Sequence, residues 1–519
     1  MVMGPGRSVH QGFWMVLAIA VSFQDVPSPD NGALVRRQLA QRRVTLSDNA
    51  RKQLNELADQ AQRQGDASGA QAIRAKIEPA RARGRVPERF VPLPEVVTAA
   101  ALKPESPTAE LRTLQAAQSQ ALMELAKDAV KAGEYTLALD CLRAILRLDP
   151  KHSEARRILG YAPSNGGWAT RFALKMLQSS KVNHSKYGWV DASWLPRLSA
   201  GELPAPRLVG QPIRWVSAAE ADQLHSSWSR AWEITTEHFV LRTNVPFAEA
   251  IALSRRLEGF HELFEWVMAD VLAEELPFAR RLRDPKLGEI VEKTHRIFFF
   301  KNKQDYVDYL VPLRGPLVEQ SLGVYLTAKD LRKRGMPPTS FFYRDDQAEI
   351  PTEATLFHEL SHQLLYETAG RAAGFESNAG NFWVAEGLGT YFETTRPRDD
   401  GAFEHGAMVG PRLALAHQRL VEEGRRLPLE QFVTWDQARF HGEDVFLNYA
   451  QAMALTVFLM QADNAEYRAP FLDYVRDAFR GRLKRGTTRG LFDRLGLTPA
   501  ELEKRFLDDL KTHRPDPEA

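Results

Sequence analysis

The period of apolar and polar positions changes several times along this chain. From Leu34 to Arg83 helix-forming residues run with few breakers. Gly84 to Pro107 is punctuated by Pro87, Pro92, Pro94, Pro104 and Pro107 and reads as an extended connection. From Ala109 to Tyr161 the helical period returns. Leu122, Leu125, Ala126, Ala138, Leu142, Ile145 and Pro150 fall at the spacings of a helix–turn–helix repeat of about 34 residues, with Gly133-Glu134-Tyr135 as its turn. Small Ala126 and Ala138 let the two helices approach closely. A weaker match comes earlier, at Leu54, Leu57, Ala58, Ala70 and Ile77. One good unit and one degenerate unit predict a packed helical layer rather than a peptide-binding solenoid, which needs three or more.

Residues 163–231 predict short strands and turns between helical blocks. Six of the ten tryptophans fall between Trp168 and Trp232. They supply either the core of a small module or a stacking surface for sugar rings; nothing marks them as exposed, so the core reading is preferred. From Trp232 onward the pattern is that of an α+β unit. Ile234–Thr243 alternates like a strand. Phe247–Leu272 is an amphipathic helix with Leu253, Leu257, Phe260, Phe264, Val267 and Val271 on one stripe. Arg296–Phe300, Gly323–Thr327 and Ser340–Tyr343 are further strand candidates, and only helices are expected after them. The fold class is therefore α+β. The expected segments are a leader over 1–22, a helical segment and Pro-rich connection over 23–108, a helical hairpin over 109–162, a Trp-rich module over 163–231 and a final domain over 232–513.

Charge narrows the function. The 68 Lys+Arg balance 66 Asp+Glu, which argues against nucleic acid and polybasic membrane binding. The single cysteine, Cys141, excludes an internal disulfide, a zinc ribbon and a CxxC redox pair. Any metal must be held by His, Asp or Glu. At the N-terminus Arg7 precedes the apolar run Phe13–Phe23, with small Ala20 and Ser22 at cleavage-defining positions. That pattern predicts a secretory signal and an exported protein, with no integral membrane span after its removal; an uncleaved anchor and a buried N-terminal helix are the alternatives.

Candidate chemistry sits in Thr355–Leu365, which contains His358-Glu359-Leu360-Ser361-His362. Imidazoles four apart lie about 40° apart on a helix, so both reach one ion. Glu359, about 100° round from His358, can touch water beside that ion without ligating it. Phe357, Leu360 and Leu364 anchor the other side. Pro351-Thr352 is a credible helix start with Thr352 as cap. With 23 residues between, Glu386 follows His362 in Asn381-Phe-Trp-Val-Ala-Glu386-Gly-Leu-Gly-Thr-Tyr-Phe-Glu393. Its glycines permit close helix–helix approach. Two imidazoles and a carboxylate leave a fourth zinc position open, the catalytic rather than the structural pattern.

These paired motifs resemble the gluzincin metallopeptidases, which have a peptidase MA-like fold. With the leader and the tetratricopeptide-like region, the chain is similar to a group of exported bacterial proteins carrying such a domain. The resemblance spans about Trp232 to His513. It implies that His358, His362 and Glu386 ligate Zn2+ and that Glu359 is the general base. It also implies a small mixed sheet before the motif helix, whose edge strand takes an extended peptide.

Tyr449, opening the apolar helix of Asn448-Tyr-Ala-Gln-Ala-Met-Ala-Leu, is placed like the oxyanion tyrosine of related gluzincins and is the candidate donor to the oxyanion, with Tyr391 and His441 as weaker competitors; the alternative is a core tyrosine capping that helix. Glu393, two turns after Glu386, is either a partner orienting a ligand histidine or a surface ion pair. The Gly-Ala-Met-Glu-Asn signature of the aminopeptidase branch is absent upstream of His358, which leaves endo- and exopeptidase action open. The loop Glu367–Gly380 is a candidate insertion over the site. The expected partner is a peptide or protein substrate, with a protein contact through the repeat-like helices as a further possibility. The rival reading is a peptidase-derived domain that binds envelope peptides or glycans without cleaving them.

Overall fold

A long helix, α1 (Pro29–Arg63), turns back through Gly65 onto a short one, α2 (Ala67–Arg74), whose start is capped by the Asp66 carboxylate accepting the Gly69 N–H at 2.8 Å. The computed structural model describes residues 29–78, 88–102, 108–207, 210–288, 290, 293–347, 351–368, 380–483 and 490–516. The expected leader, residues 1–22, and most of the candidate insertion, residues 369–379, lie outside the described residues. The repeat-like hairpin is α3 (Ala109–Ala132) and α4 (Tyr135–Leu148). Gly133 closes α3 at φ 82°, a left-handed conformation that glycine adopts without steric cost. Ala126 and Ala138 have no exposed surface, as close helix contact requires.

The hairpin packs on the rest of the molecule. Its partner is α5 (Phe247–Leu272), the amphipathic helix, which has the bounds its pattern predicts. Asp270 of α5 accepts the Thr136 N–H at 3.0 Å and its hydroxyl at 2.8 Å, and Trp266 donates to Asp140 at 2.7 Å. Apolar residues of α1, α3, α4 and α5 belong to one continuous core with those of the C-terminal helices.

The Pro-rich connection contains two short strands, β1 (Glu88–Phe90) and β2 (Val96–Val97). Three hairpins follow: β3 (Tyr161–Ser164) with β4 (Gly167–Thr170), β5 (Lys181–His184) with β6 (Gly188–Asp191), and β7 (Glu202–Pro204) with β8 (Trp215–Ser217). β2 adds to β4. Trp232 is buried here, and Trp168, Trp194, Trp215 and Trp228 are half-buried against the core. Trp194 and Trp215 meet edge to face at 5.4 Å, and Trp228 packs on Phe300 at 4.0 Å.

The expected strand Ile234–Thr243 is instead a hairpin, β9 (Trp232–Thr235) and β10 (Phe239–Thr243). The Thr236 N–H bonds the Phe239 carbonyl at 2.9 Å and closes a turn over Glu237 and His238. Alternation runs through that turn, so periodicity does not reveal it. With β11 (His295–Phe300), β12 (Gly323–Leu326) and β13 (Thr339–Tyr343), these form a five-stranded mixed sheet in the order β12-β13-β11-β10-β9. The three inner strands are parallel and both edges antiparallel.

Three helices after the sheet frame the site: α6 (Thr352–Thr368), α7 (Trp383–Phe392) and α8 (Val445–Ala465). The expectation of helices alone fails here. β14 (Arg396–Pro397) and β15 (Phe403–His405) pair, and β1 joins β15 from more than 300 positions earlier. Helix α8 also departs from the expectation that no apolar stretch beyond the N-terminus has membrane-spanning length. It meets that criterion, but 78% of its apolar window is buried inside the fold, so it is a core helix.

Candidate metal centre

Helix α6 is fixed in rotation by its apolar stripe. Phe357, Leu360 and Leu364 have no exposed surface, and Phe357 stacks on Phe260 of α5 at 4.5 Å. This turns His358 and His362 towards α7. There Nε2 of His358 lies 3.1 Å from Nε2 of His362, and Oε2 of Glu386 lies 3.4 Å from the first and 3.7 Å from the second. Donors about 2.0–2.1 Å from one tetrahedral zinc stand about 3.4 Å from each other, so the three edges suit one such ion. The donor types fit as well. Two imidazole nitrogens and a carboxylate oxygen are a zinc set, and these three residues form a group able to hold a metal ion.

Two glycines of α7 create the room. A Cβ on Gly389 would stand 2.8 Å from the His358 ring. A Cβ on Gly387 would stand 2.4 Å from Thr456 Oγ1 on α8. Helix α7 is thus squeezed between the motif helix and α8, with its bare faces at the two contacts.

The outer partners orient the donors. Nδ1 of His358 lies 2.8 Å from Oε1 of Glu393, whose other oxygen pairs with Arg412 Nε at 2.9 Å. Glu393 is buried, so the surface ion-pair reading of that residue is ruled out. Carboxylate partners outweigh burial at His358 and push it up to about 10. Glu386 is held well below the usual carboxylate range: burial opposes this, but hydrogen bonds from both imidazoles prevail. Glu359 is raised by burial, with His358 and His362 offsetting part of the effect and the Tyr325 main-chain N–H donating to its carboxylate.

Tyr449 lies beside this group. Its hydroxyl donates to Glu386, and burial with the nearby Glu386 and Glu359 charges raises it far above the usual tyrosine range. His441 Nε2 is 3.3 Å from that hydroxyl, and the Arg412 guanidinium sits over the Tyr449 ring at 5.0 Å. Tyr391 is not part of the site: it lies about 140° round α7 from Glu386 and packs edge-on against His405. Thr352 is not a cap but the first helical residue, its hydroxyl bonded to the Asp345 main chain. Glu367 belongs to the last turn of α6 rather than to a loop. It accepts from Tyr325 Oη at 3.2 Å and Gln363 at 3.1 Å, and it pairs with His295 at 2.9 Å. This ties the motif helix to β11 and β12.

Arg412, Tyr325 and this use of Glu367 escape sequence reasoning. Each reaches the site through tertiary contacts between separate elements, without a spacing that marks them.

A protein family described as protein of unknown function (DUF1570) matches residues 352–478, about a quarter of the chain. The match begins at the first residue of α6 and includes all three donors, Glu359, Glu393, Arg412, His441 and Tyr449. No curated protein matches the chain.

Proposed function

We propose that this protein is a zinc-dependent peptide hydrolase of gluzincin type, acting outside the cytoplasm on an extended peptide or protein. The convergence of His358, His362 and Glu386 within 3.1–3.7 Å of one another, with Glu359 on the same helix, carries this reading. When bound, zinc supplies Lewis acidity that acidifies water and polarises a carbonyl.

The chain's own residues do the rest. Glu359, made more basic by burial and poised against two imidazoles, accepts the proton of the attacking water and returns it to the leaving amine. The Tyr449 hydroxyl donates to the carbonyl oxygen as negative charge develops there, with His441 beside it at 3.3 Å. A peptide is favoured as substrate because β12 is an edge strand beside α6, and the Tyr325 N–H is already turned towards Glu359. Export is supported by the basic-then-apolar N-terminus alone.

The test is direct. Purified protein is expected to hold one zinc, to lose it on His358→Ala, and to keep zinc but lose cleavage of a peptide library on Glu359→Gln. A zinc-loaded protein that leaves a broad library uncut would instead support a binding role for the same domain.

A further inference from the structure

A cavity of about 1180 Å³ lies away from the metal centre, between α5, the β9–β10 turn and the hairpins β3–β4 and β5–β6. One wall is aromatic. Trp189 and Phe172 meet edge to face at 6.2 Å, and Tyr161 lines the same space. Six carboxylates line it, Glu95, Glu233, Glu237, Glu258, Glu262 and Glu265, and Lys and Arg side chains contribute to the other walls. Glu258 is taken by His238 at 2.7 Å, and Glu262 by Arg143 and by the Leu93 N–H at 2.7 Å.

Of the six, Glu95 and Glu237 are half-buried and have no ion-pair partner among the described residues. Glu95 accepts from Trp189 Nε1 at 2.7 Å and Asn183 at 3.0 Å, and Glu237 from Thr170. Arg255 is near enough to feel Glu95 but donates to the His184 carbonyl. A third group faces the space unused. His261, only 6% exposed, stacks on His238 at 3.9 Å and makes no hydrogen bond among the described residues.

Carboxylates partly withdrawn from water, like Glu95 and Glu237, are costly without a cation. Consistently, burial and the Glu258 charge raise Glu95, and burial, against the opposing pull of His238, pushes Glu237 up to about 7. A bare metal ion does not answer the need. Among the described residues only His358, His362 and Glu386 converge closely enough to hold one. The volume also exceeds what an ion fills and is enough for a small organic molecule.

We propose that this cavity binds an organic cation: an ammonium group held by Glu95 and Glu237, accepted also by the imidazole of His261, with an apolar body against Trp189, Phe172 and Tyr161. Aromatic faces add cation–π attraction to the ion pairs. The proposal goes beyond the hydrolase reading and stands without it.

The full-length protein is titrated with hexylammonium, hexanoate and hexan-1-ol, by calorimetry and by tryptophan fluorescence. Saturable hexylammonium binding is expected, at least about tenfold tighter than either control, and lost by about that factor in Glu95→Gln/Glu237→Gln. Should the double variant not fold, Glu237→Gln alone, checked by circular dichroism, is expected to weaken binding severalfold. Hexylammonium but not hexanoate is also expected to raise the wild-type Tm. Equal binding of the three probes, no saturable binding, or unchanged affinity in a folded variant would overturn the proposal. Zinc content and peptide cleavage are untouched by either outcome, so its failure is separable from failure of the hydrolase reading.

Discussion

Glu393 Oε1 lies 2.8 Å from His358 Nδ1, and this contact sets the tautomer that leaves Nε2 facing Glu386 and His362. Arg412 anchors the same carboxylate. Outer partners of this kind affect metal affinity by about 10–100-fold. Glu393→Gln is therefore expected to weaken zinc binding by that range, measured by competition with a chromophoric chelator, while His358→Ala abolishes it.

Zinc binding should release a proton. In the metal-free protein His358 is pushed up to about 10, so near pH 7 it holds a proton that the metal must displace. Calorimetry in buffers of different ionisation enthalpy is expected to show close to one proton released. Affinity should fall about tenfold for each unit the pH is lowered through this range. Glu393→Gln, which removes part of what raises His358, should reduce the release.

The two glycines of α7 give opposite outcomes. Gly389→Ala drives a methyl into the His358 ring and should cost zinc affinity by at least about tenfold with the fold kept. Gly387→Ala meets Thr456 and the Ala452 carbonyl on α8 instead, and should cost about 1–3 kcal/mol of stability. Chelator competition and urea unfolding separate them.

Tyr449→Phe is expected to lower kcat about 100-fold with KM and zinc content little changed, as removal of an oxyanion donor does. His441→Ala should have a smaller effect of the same kind. Steady-state kinetics on any peptide the wild type cleaves would check both.

His405 supplies a pH dependence of stability independent of the metal. It is buried, hydrogen-bonded through Nδ1 to Thr395 at 2.8 Å, and depressed by burial to about 3. A folded value below the unfolded one means that its contribution is full above about 6.5 and is lost as pH falls towards 3. Between pH 6.5 and 5 the wild type should lose about 2 kcal/mol from this residue. His405→Asn should flatten that part of the urea-unfolding profile.

Local signals were the readable ones. The bounds of α5 follow from a single apolar stripe, and His358 and His362 from one helical spacing. Glu386 was readable because Gly387 and Gly389 beside it mark a close helix contact. The β9–β10 turn was hidden because Glu237 and His238 continue an alternation that suits a strand equally well. Arg412, and the choice between the two readings of Glu393, depend on where α7 settles against later helices, which no window of sequence reports. Besides its hydroxyl contact with Glu367, Tyr325 contributes a main-chain N–H to Glu359, and side-chain identity carries no trace of the latter.

The pairing of β1 with β15 has a consequence for how the chain is made. Strand β1 leaves the ribosome long before Phe403–His405 exist, so the early portion cannot finish folding as it emerges and must wait for the last quarter of synthesis. A fragment beginning at Thr352 would leave behind the sheet, α5 and β1, and with them the surfaces that seat Phe357 and the motif helix. Expression of the DUF1570-matching segment by itself should give insoluble material, whereas co-expression with residues 29–351 offers a route to a complemented, soluble pair.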